Sequence, residues 1–533
     1  MKILAVIPAR AGSKGIPNKN IRLIDGKPLI YYSIMNAINS RFITNIVVTT
    51  DSQEIATIAN QMGVDVIDRD PRLATDEVTL DSVIYDASKL YDVDYVITLQ
   101  PTSPLLTPIT LDKAIEFSLA NDIDTLISVI NSPHLSWIEK DGDVIPAYKK
   151  RLNRQYLPPH FFETGAFVIA KKGIVTSETR IGENVKVFEI PHEESLDIDT
   201  FSDLIIAKSI INSKKIAFYV NGNNKRGMGH IYRVLELADE FSHKPDIYFN
   251  EQETDINYFG ETTHKLIPVN GIKELTVKLS ASNYSILIND VLNTTRDYIT
   301  QLRESCPKLK IVNFEDDGEG TLYTDLVINA LYKDPSCKHM YAGEKYYVSS
   351  KMFMFFDSIN IDSEVKTIFI SFGGADPQNY TDRILKIVTN EKKYNKFNFK
   401  VVLGRAKDNI NMLLEYNNYD NIEVLYNIEN MPEIMSKCDI AITSRGRTGY
   451  ELAILGIPTI AMAQNTREEK HGFVCNENGF IYLGLNPNDD YIKNNIDYLI
   501  LSSKSQREVM HSKLLSHDLR HGRKRVINLI NNL

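Results

Sequence analysis

Cysteine is scarce. Only Cys306, Cys337, Cys438 and Cys475 occur in 533 residues, all in the later half. Their spacing fits no metal signature, and four are too few to frame the chain with disulfides. They read as small buried hydrophobes. A basic excess is also missing: 60 Lys and Arg stand against 69 Asp and Glu, for a net charge of -9. That argues against nucleic acid as a partner but leaves local Lys and Arg free to hold small anions. No apolar run reaches the roughly 18 residues of a membrane span, so no membrane partner is expected. The opening MKILAVIPAR carries an apolar run of only about seven residues before a proline and a charge, too short for a signal-peptide core. It reads as a buried strand, and the expected location is the cytoplasm. There is no short repeat, no low-complexity segment and a single tryptophan, Trp137.

What is present is an α/β rhythm. Apolar residues make up 43% and charged residues 24%, enough for packed cores. The length suggests about three domains. Strands are expected at Ile3–Ile7, Ile46–Thr50, Val64–Ile67 and Tyr95–Leu99, with helices at Leu29–Ser40, Glu54–Met62 and Leu80–Leu90 between them. Short β-branched runs alternating with helical spacers predict a parallel sheet wound in βαβ units. A helix over Thr200–Ile211 closes this region, the polar break Asn212–Lys215 follows, and the pattern restarts at Ile216–Val220. It lapses between Asp334 and Asp362 and opens again at Thr367–Ser371. The expected domains are 1–212, 216–345 and 346–533. The fold class is α/β: a Rossmann-like nucleotidyltransferase domain followed by two lobes facing across a cleft. Ligands are expected in that cleft, at the carboxyl ends of the strands.

The first loop, ARAGSKGIPNKN (Ala9–Asn20), carries Arg10, Gly12, Ser13, Lys14, Gly15, Lys19 and Asn20. Its glycines let backbone N–H groups approach phosphates, and its three cations supply charge. It is neither a P-loop nor a dinucleotide fingerprint. LQPTSPLL (Leu99–Leu106) follows a strand, and its prolines and small polar groups suit a rigid reading loop. LDIDTFSD (Leu196–Asp203) places Asp197 and Asp199 two residues apart, on one side of an extended segment. Paired carboxylates of this kind suit Mg²⁺ held together with substrate phosphates. Alternatively, Asp199 caps the helix that follows.

These segments, with RDPRLATD (Arg69–Asp76), NRQ (Asn153–Gln155) and TGAFVIA (Thr164–Ala170), resemble in order the acylneuraminate cytidylyltransferase family, the CMP-sialic acid synthetases. The resemblance covers about residues 1–212. It implies that CTP and a nine-carbon 2-keto sugar acid give a CMP-sugar and pyrophosphate. It assigns Arg10, Gly12, Ser13, Lys14, Lys19 and Asn20 to CTP. Gln100, Arg154 and Gln155 join the substrate-binding set, Asp197 and Asp199 hold Mg²⁺, and Lys14 and Asp199 act in catalysis. It also implies a homodimer. Leu106 and Thr164 stand where the family commonly has Arg and Asn.

The second half opens with NGNNKRGMGHIYR (Asn221–Arg233). Gly227 and Gly229 bring backbone close to a ligand, and the following helix N-terminus favours an anion. His230 sits where that helix starts; such a position favours the neutral imidazole, which can act as a general base. Farther on, SFGGADPQN (Ser371–Asn379) sets Gly373 and Gly374 in a turn after a strand. SRGRTGYELAILGIPTI (Ser444–Ile460) offers Arg445 and Arg447 to a diphosphate and Glu451 to ribose hydroxyls. The order of these pieces resembles a sugar-nucleotide hydrolase of pseudaminic acid biosynthesis, a relative of the two-lobed GT-B glycosyltransferases. It implies water attack on a UDP-linked amino-sugar with His230 as base. Asn221, the Arg-Gly-Arg-Thr turn and the order Gln464-Asn465 depart from that pattern.

The expectation is therefore a bifunctional enzyme of nonulosonic acid biosynthesis, with pseudaminic acid the favoured product. Its alternative is the same cytidylyltransferase fused to a glycosyltransferase or to a non-catalytic nucleotide-sugar-binding module.

Overall fold

The computed structural model describes residues 1–533 apart from 13–14, 76, 224–228, 427 and 429. The chain divides into two compact units, Met1–Ser213 and Lys214–Leu533.

The first unit is built on a seven-stranded sheet. Its strands run, edge to edge, Val185–Glu189, Thr125–Asn131, Phe161–Lys171, Tyr95–Leu99, Ile3–Pro8, Asn45–Thr50 and Asp65–Asp68. The central strands are buried along nearly their whole length, as strands covered by helices on both faces should be. The sheet is mixed, not wholly parallel. Phe161–Lys171 runs antiparallel to both its neighbours because the chain reverses through an exposed hairpin, Trp137–Lys140 with Asp143–Pro146. Ile3–Pro8 lies between Asn45–Thr50 and Tyr95–Leu99, so the winding direction changes beside it. That switch point opens a crevice at the carboxyl edge, where the loop from Ala9 and the turn from Gln100 both emerge.

The second unit holds two wholly parallel sheets, the two-lobed, GT-B-like arrangement. One has seven strands, with Ile216–Val220 flanked by Asp246–Asn250 and Ile286–Asp290. The other has six, with Thr367–Ser371 flanked by Asn398–Leu403 and Ile440–Ser444. Each sheet has its own switch point, and the loops starting at Asn221 and Phe372 leave from them. The α/β lapse after Asp334 corresponds to a short strand, Met340–Ala342, and single turns at Glu344–Tyr346 and Lys351–Phe355.

Two features join these lobes. Ala330, Leu331 and Tyr332 share a core with Tyr450, Leu452 and Phe473. The helix Gly522–Asn531, in the segment assigned from sequence to the second lobe, inserts Val526 and Ile530 into the core of the first, beside Phe218 and Ile288. Among the described residues, no helix is long and apolar enough to cross a membrane.

Candidate functional site

At the switch point of the first unit, the loop is anchored from several directions. The Ala11 N–H donates to Asp51 Oδ1 at 2.8 Å, and Asn20 Nδ2 donates to the Arg10 carbonyl at 3.0 Å. Lys19 Nζ reaches the Ile198 carbonyl at 2.7 Å and Asp199 Oδ1 at 3.1 Å. Gly15 lies so close to Asp199 that a Cβ there would strike the Asp199 carbonyl oxygen, whereas Gly12 faces open space. Ser13 and Lys14 lie outside the described residues.

Gln100 and Asp197 meet at Gly165. A Cβ on that glycine would lie 3.3 Å from Gln100 Nε2 and 3.4 Å from Asp197 Oδ2, and its φ of +72° favours glycine in any case. Asp197 Oδ1 is buried without a hydrogen-bond partner. Burial raises the Asp197 carboxyl above the ordinary range; the nearby Thr102 hydroxyl opposes this and the Asp199 charge adds to it. Asp199 is exposed and is not the helix cap. The cap is Thr200, whose hydroxyl accepts from Asp203 N in a capping box, and the helix runs Phe201–Ile211. Asp203 Oδ2 in return accepts from the N–H groups of Asp199 and Thr200, at 3.1 and 2.7 Å. Asp199 is thus held by its backbone, with its exposed carboxylate paired to Lys19.

An unpartnered buried carboxylate oxygen next to a second carboxylate fits a divalent cation completed by phosphate oxygens. Among the described residues, no group of three or more His, Cys, Asp or Glu could hold a metal alone. Arg154 and Gln155 sit in an exposed turn, Arg154–Tyr156, and no described contact brings them to Gln100 or Asp197. Thr164 is committed to Ser128 through a buried 2.8 Å hydrogen bond.

In the second unit, His230 from one lobe and Arg447 from the other are linked where the two sheets face each other. His230 and Arg233 lie on the helix Gly229–Ala238. His230 Nδ1 is 2.6 Å from Asp290 Oδ1, at the end of the strand Ile286–Asp290. Arg233 grips the same carboxylate with Nε and Nη2, at 2.6 and 2.5 Å, and extends Nη1 to Glu315 Oε1 at 2.5 Å. Glu315 also binds Arg447 from the opposite sheet. The guanidinium of Arg447 lies against Gly229, where any side chain would collide with it. Thus a chain of alternating charge, almost wholly buried, runs from His230 to Arg447 across the cleft. Glu315 holds it with φ +46°, a conformation unusual for a side-chain-bearing residue.

The charges set one another. Burial lowers the proton affinity of His230, against the pull of Asp290, and Arg447 and Arg233 lower it further. Burial alone would raise Asp290 and Glu315, but the adjoining arginines and, for Asp290, His230 hold both below the usual carboxylate range. Glu451, one turn beyond Arg447, makes no ion pair among the described residues, and burial pushes it up to about 7 against the weaker pull of the Arg447 charge. Glu468 is raised to about 7 for the same reason, and burial lowers His471 to about 4. Gly373, at φ +72°, and Gly374 press onto Gly404, leaving no room there for a side chain. Asn221 is occupied structurally, its Oδ1 accepting from Asn250 N at 3.0 Å. Gly227 is outside the described residues.

The cytidylyltransferase family pattern matches residues 4–222. A Campylobacter coli protein named post-translational flagellin modification protein B is 32% identical over 228 residues, 40% of this chain and 97% of that protein. The chain belongs to the cytidylyltransferase family. The CMP-N,N'-diacetyllegionaminic acid synthase of Legionella pneumophila is 34% identical over 40% of this chain and 97% of its own length. N-acylneuraminate cytidylyltransferase A of Danio rerio is 34% identical over 39% of this chain and 50% of that protein. The chain therefore spans only about half the length of some curated relatives it matches. Among solved structures, Acinetobacter baumannii MurG covers 60% of this chain at 12% identity and a TM-score of 0.46.

The cytidylyltransferase unit contains one notable cation that motif reading quoted but left out of the site. Arg69 is buried, and its guanidinium bonds Thr49, with Nη2 at 2.6 Å from the carbonyl. Burial lowers its proton affinity, opposed by Asp51, while Arg10 adds to the lowering. The signal was the Arg that opens RDPRLATD, immediately after a strand. Asp290 and Glu315 had no signal, because one ends and the other follows an ordinary strand, in no recognisable motif.

Proposed function

We propose that residues 1–213 transfer a cytidylyl group from CTP to a hydroxyl of a nine-carbon sugar acid, releasing pyrophosphate. The observation that carries this is the meeting of Gln100, Gly165 and Asp197, whose Oδ1 is buried and unpartnered, beside the Lys19–Asp199 contact, in a unit of this family. Arg10, Lys14 and Lys19 grip the phosphates, with Gly12, Ser13 and Asn20 shaping the loop; Arg69 adds charge behind it. Gln100 orients the sugar acid, with Arg154 and Gln155 on its outer side. Asp197 and Asp199 would hold Mg²⁺, which when bound supplies charge neutralisation to the triphosphate. The sugar hydroxyl forms the new bond to the α-phosphorus as the bond to pyrophosphate breaks. The chain's work is positioning and charge stabilisation. Two relatives are named for N-acylneuraminate and N,N'-diacetyllegionaminic acid, which supports a sialic-acid-like substrate. The second half's resemblance favours pseudaminic acid among these.

For residues 214–533, the reading best supported is a module that binds a UDP-sugar and transfers its sugar to a hydroxyl acceptor. Hydrolysis is the same chemistry with water as acceptor. Glu451 suits the ribose, Arg447 with Gly373 and Gly374 the diphosphate, and His230, next to Gly229, the reacting hydroxyl. A second copy of the chain is the proposed partner of the exposed apolar arm bearing Trp137, Ile138, Val144, Phe161 and Phe162. A solution mass of one 60.6 kDa chain would refute that pairing.

The test is made on the full chain. CTP, Mg²⁺ and a panel of nine-carbon sugar acids should release pyrophosphate with at least one of them; silence across the panel overturns the first proposal. UDP-sugars are supplied separately, with and without hydroxyl acceptors. UDP appearing only with an acceptor supports transfer, UDP without one supports hydrolysis, and no UDP in either case leaves a binding module.

A further inference from the structure

His230 is buried, so its partners decide which ring nitrogen carries its proton. Asp290 is fully buried and held as a carboxylate by Arg233. A carboxylate accepts hydrogen bonds but cannot donate them. At 2.6 Å, the nitrogen facing it, Nδ1, must therefore be the protonated one. In a neutral imidazole, that leaves Nε2 as the acceptor.

We propose that Asp290 is the positioning residue that fixes His230 as the Nδ1–H tautomer, and that Arg233 holds Asp290 in place to do so. This rests on the reading that the cleft transfers the sugar of a UDP-sugar. In that step the acceptor O–H gives its proton to Nε2 while its oxygen bonds the anomeric carbon. The bond from that carbon to the diphosphate breaks, and its electron pair leaves on UDP. The carboxylate orients the ring and stabilises the imidazolium as it forms.

Arg233 adds a second effect. A lone buried carboxylate would favour imidazolium before any substrate arrived. Bound to both Nε and Nη2, Asp290 is already compensated, and Arg447 adds positive charge from the facing sheet. Glu315 lies between the two arginines and balances them. Among the described residues, these are the charged groups around His230: Asp290 from its strand, Arg233 from its own helix, Glu315 from just after the strand beyond, and Arg447 from across the cleft. The arrangement keeps the base neutral and correctly protonated in advance.

The experiment uses the full chain with ¹⁵N-labelled histidine, the His230 signal being assigned by its loss in His230→Gln. NMR should show Nδ1 protonated and Nε2 bare in the wild type. In Asp290→Asn the single tautomer should be lost. UDP release from a UDP-sugar should then fall roughly 10²-fold or more in kcat, with little change in KM. Wild-type protein protonated at Nε2 would overturn the proposal, and so would an Asp290→Asn variant with unchanged tautomer and turnover. Should the variant not fold, the wild-type tautomer still decides. Should the wild type release no UDP under any condition, the transfer reading fails, while the tautomer still tests Asp290's role on its own.

Discussion

Single residues carry the first predictions. Asp199→Ala should remove pyrophosphate release, by about 10²-fold or more, while UDP release stays unchanged; the two assays run on one preparation. Gly165→Ala forces an alanine into a left-handed conformation, which costs about 1–2 kcal/mol. It also crowds Gln100 and Asp197. Its thermal midpoint should drop by roughly 2–6 °C, with a loss of pyrophosphate release larger than the stability loss explains. Titration supplies a third test. Glu451 is raised from 4.5 to about 7 by burial. Between those values the folded chain holds a proton that the unfolded chain gives up, so this contribution is lost as pH rises through the window. His471 has the opposite sign. Lowered by burial from 6.5 to about 4, it loses its contribution as pH falls through that range. Glu451→Gln should therefore raise the melting temperature at pH 8, by about 2 °C, and do little at pH 5. His471→Gln should help only on the acid side.

At the level of elements, the capping box before Phe201–Ile211 does two jobs. It satisfies the helix N-terminus, and through Asp203 it fixes the backbone of Asp199. Asp203→Ala should cost about 1 kcal/mol, as lost caps do. Because it also loosens Asp199, it should weaken pyrophosphate release more than a stability-matched change elsewhere on the same helix. Elements also show what could be read from sequence. Buried parallel strands announce themselves as short β-branched runs, so Tyr95–Leu99, Ile216–Val220 and Thr367–Ser371 were legible to the residue. The antiparallel Phe161–Lys171 was not, because it is reached through an exposed hairpin whose pattern is neither core nor loop. The site divides the same way. Glycine-rich loops after strands stand out locally as candidate phosphate grips. The His230–Asp290 contact, by contrast, joins residues 60 apart, and only the switch point of the sheet brings them together.

On the scale of the whole molecule, Met1–Ser213 and Lys214–Leu533 have separate cores. Calorimetry should accordingly resolve two transitions. Removing Gly522–Asn531 uncovers Phe218 and Ile288 and should lower only the transition of the second unit, leaving pyrophosphate release intact. The same helix bears on how the protein is made. The first unit is contiguous, so its core is available as soon as its own residues have left the ribosome. The sheet around Ile216–Val220 cannot be sealed until Val526 and Ile530 arrive. At ordinary rates of translation that wait is on the order of 15–60 s. Throughout that time, a nascent half-finished lobe trails behind a domain that is already folded. Chaperone dependence should therefore fall on the second unit and not on the first.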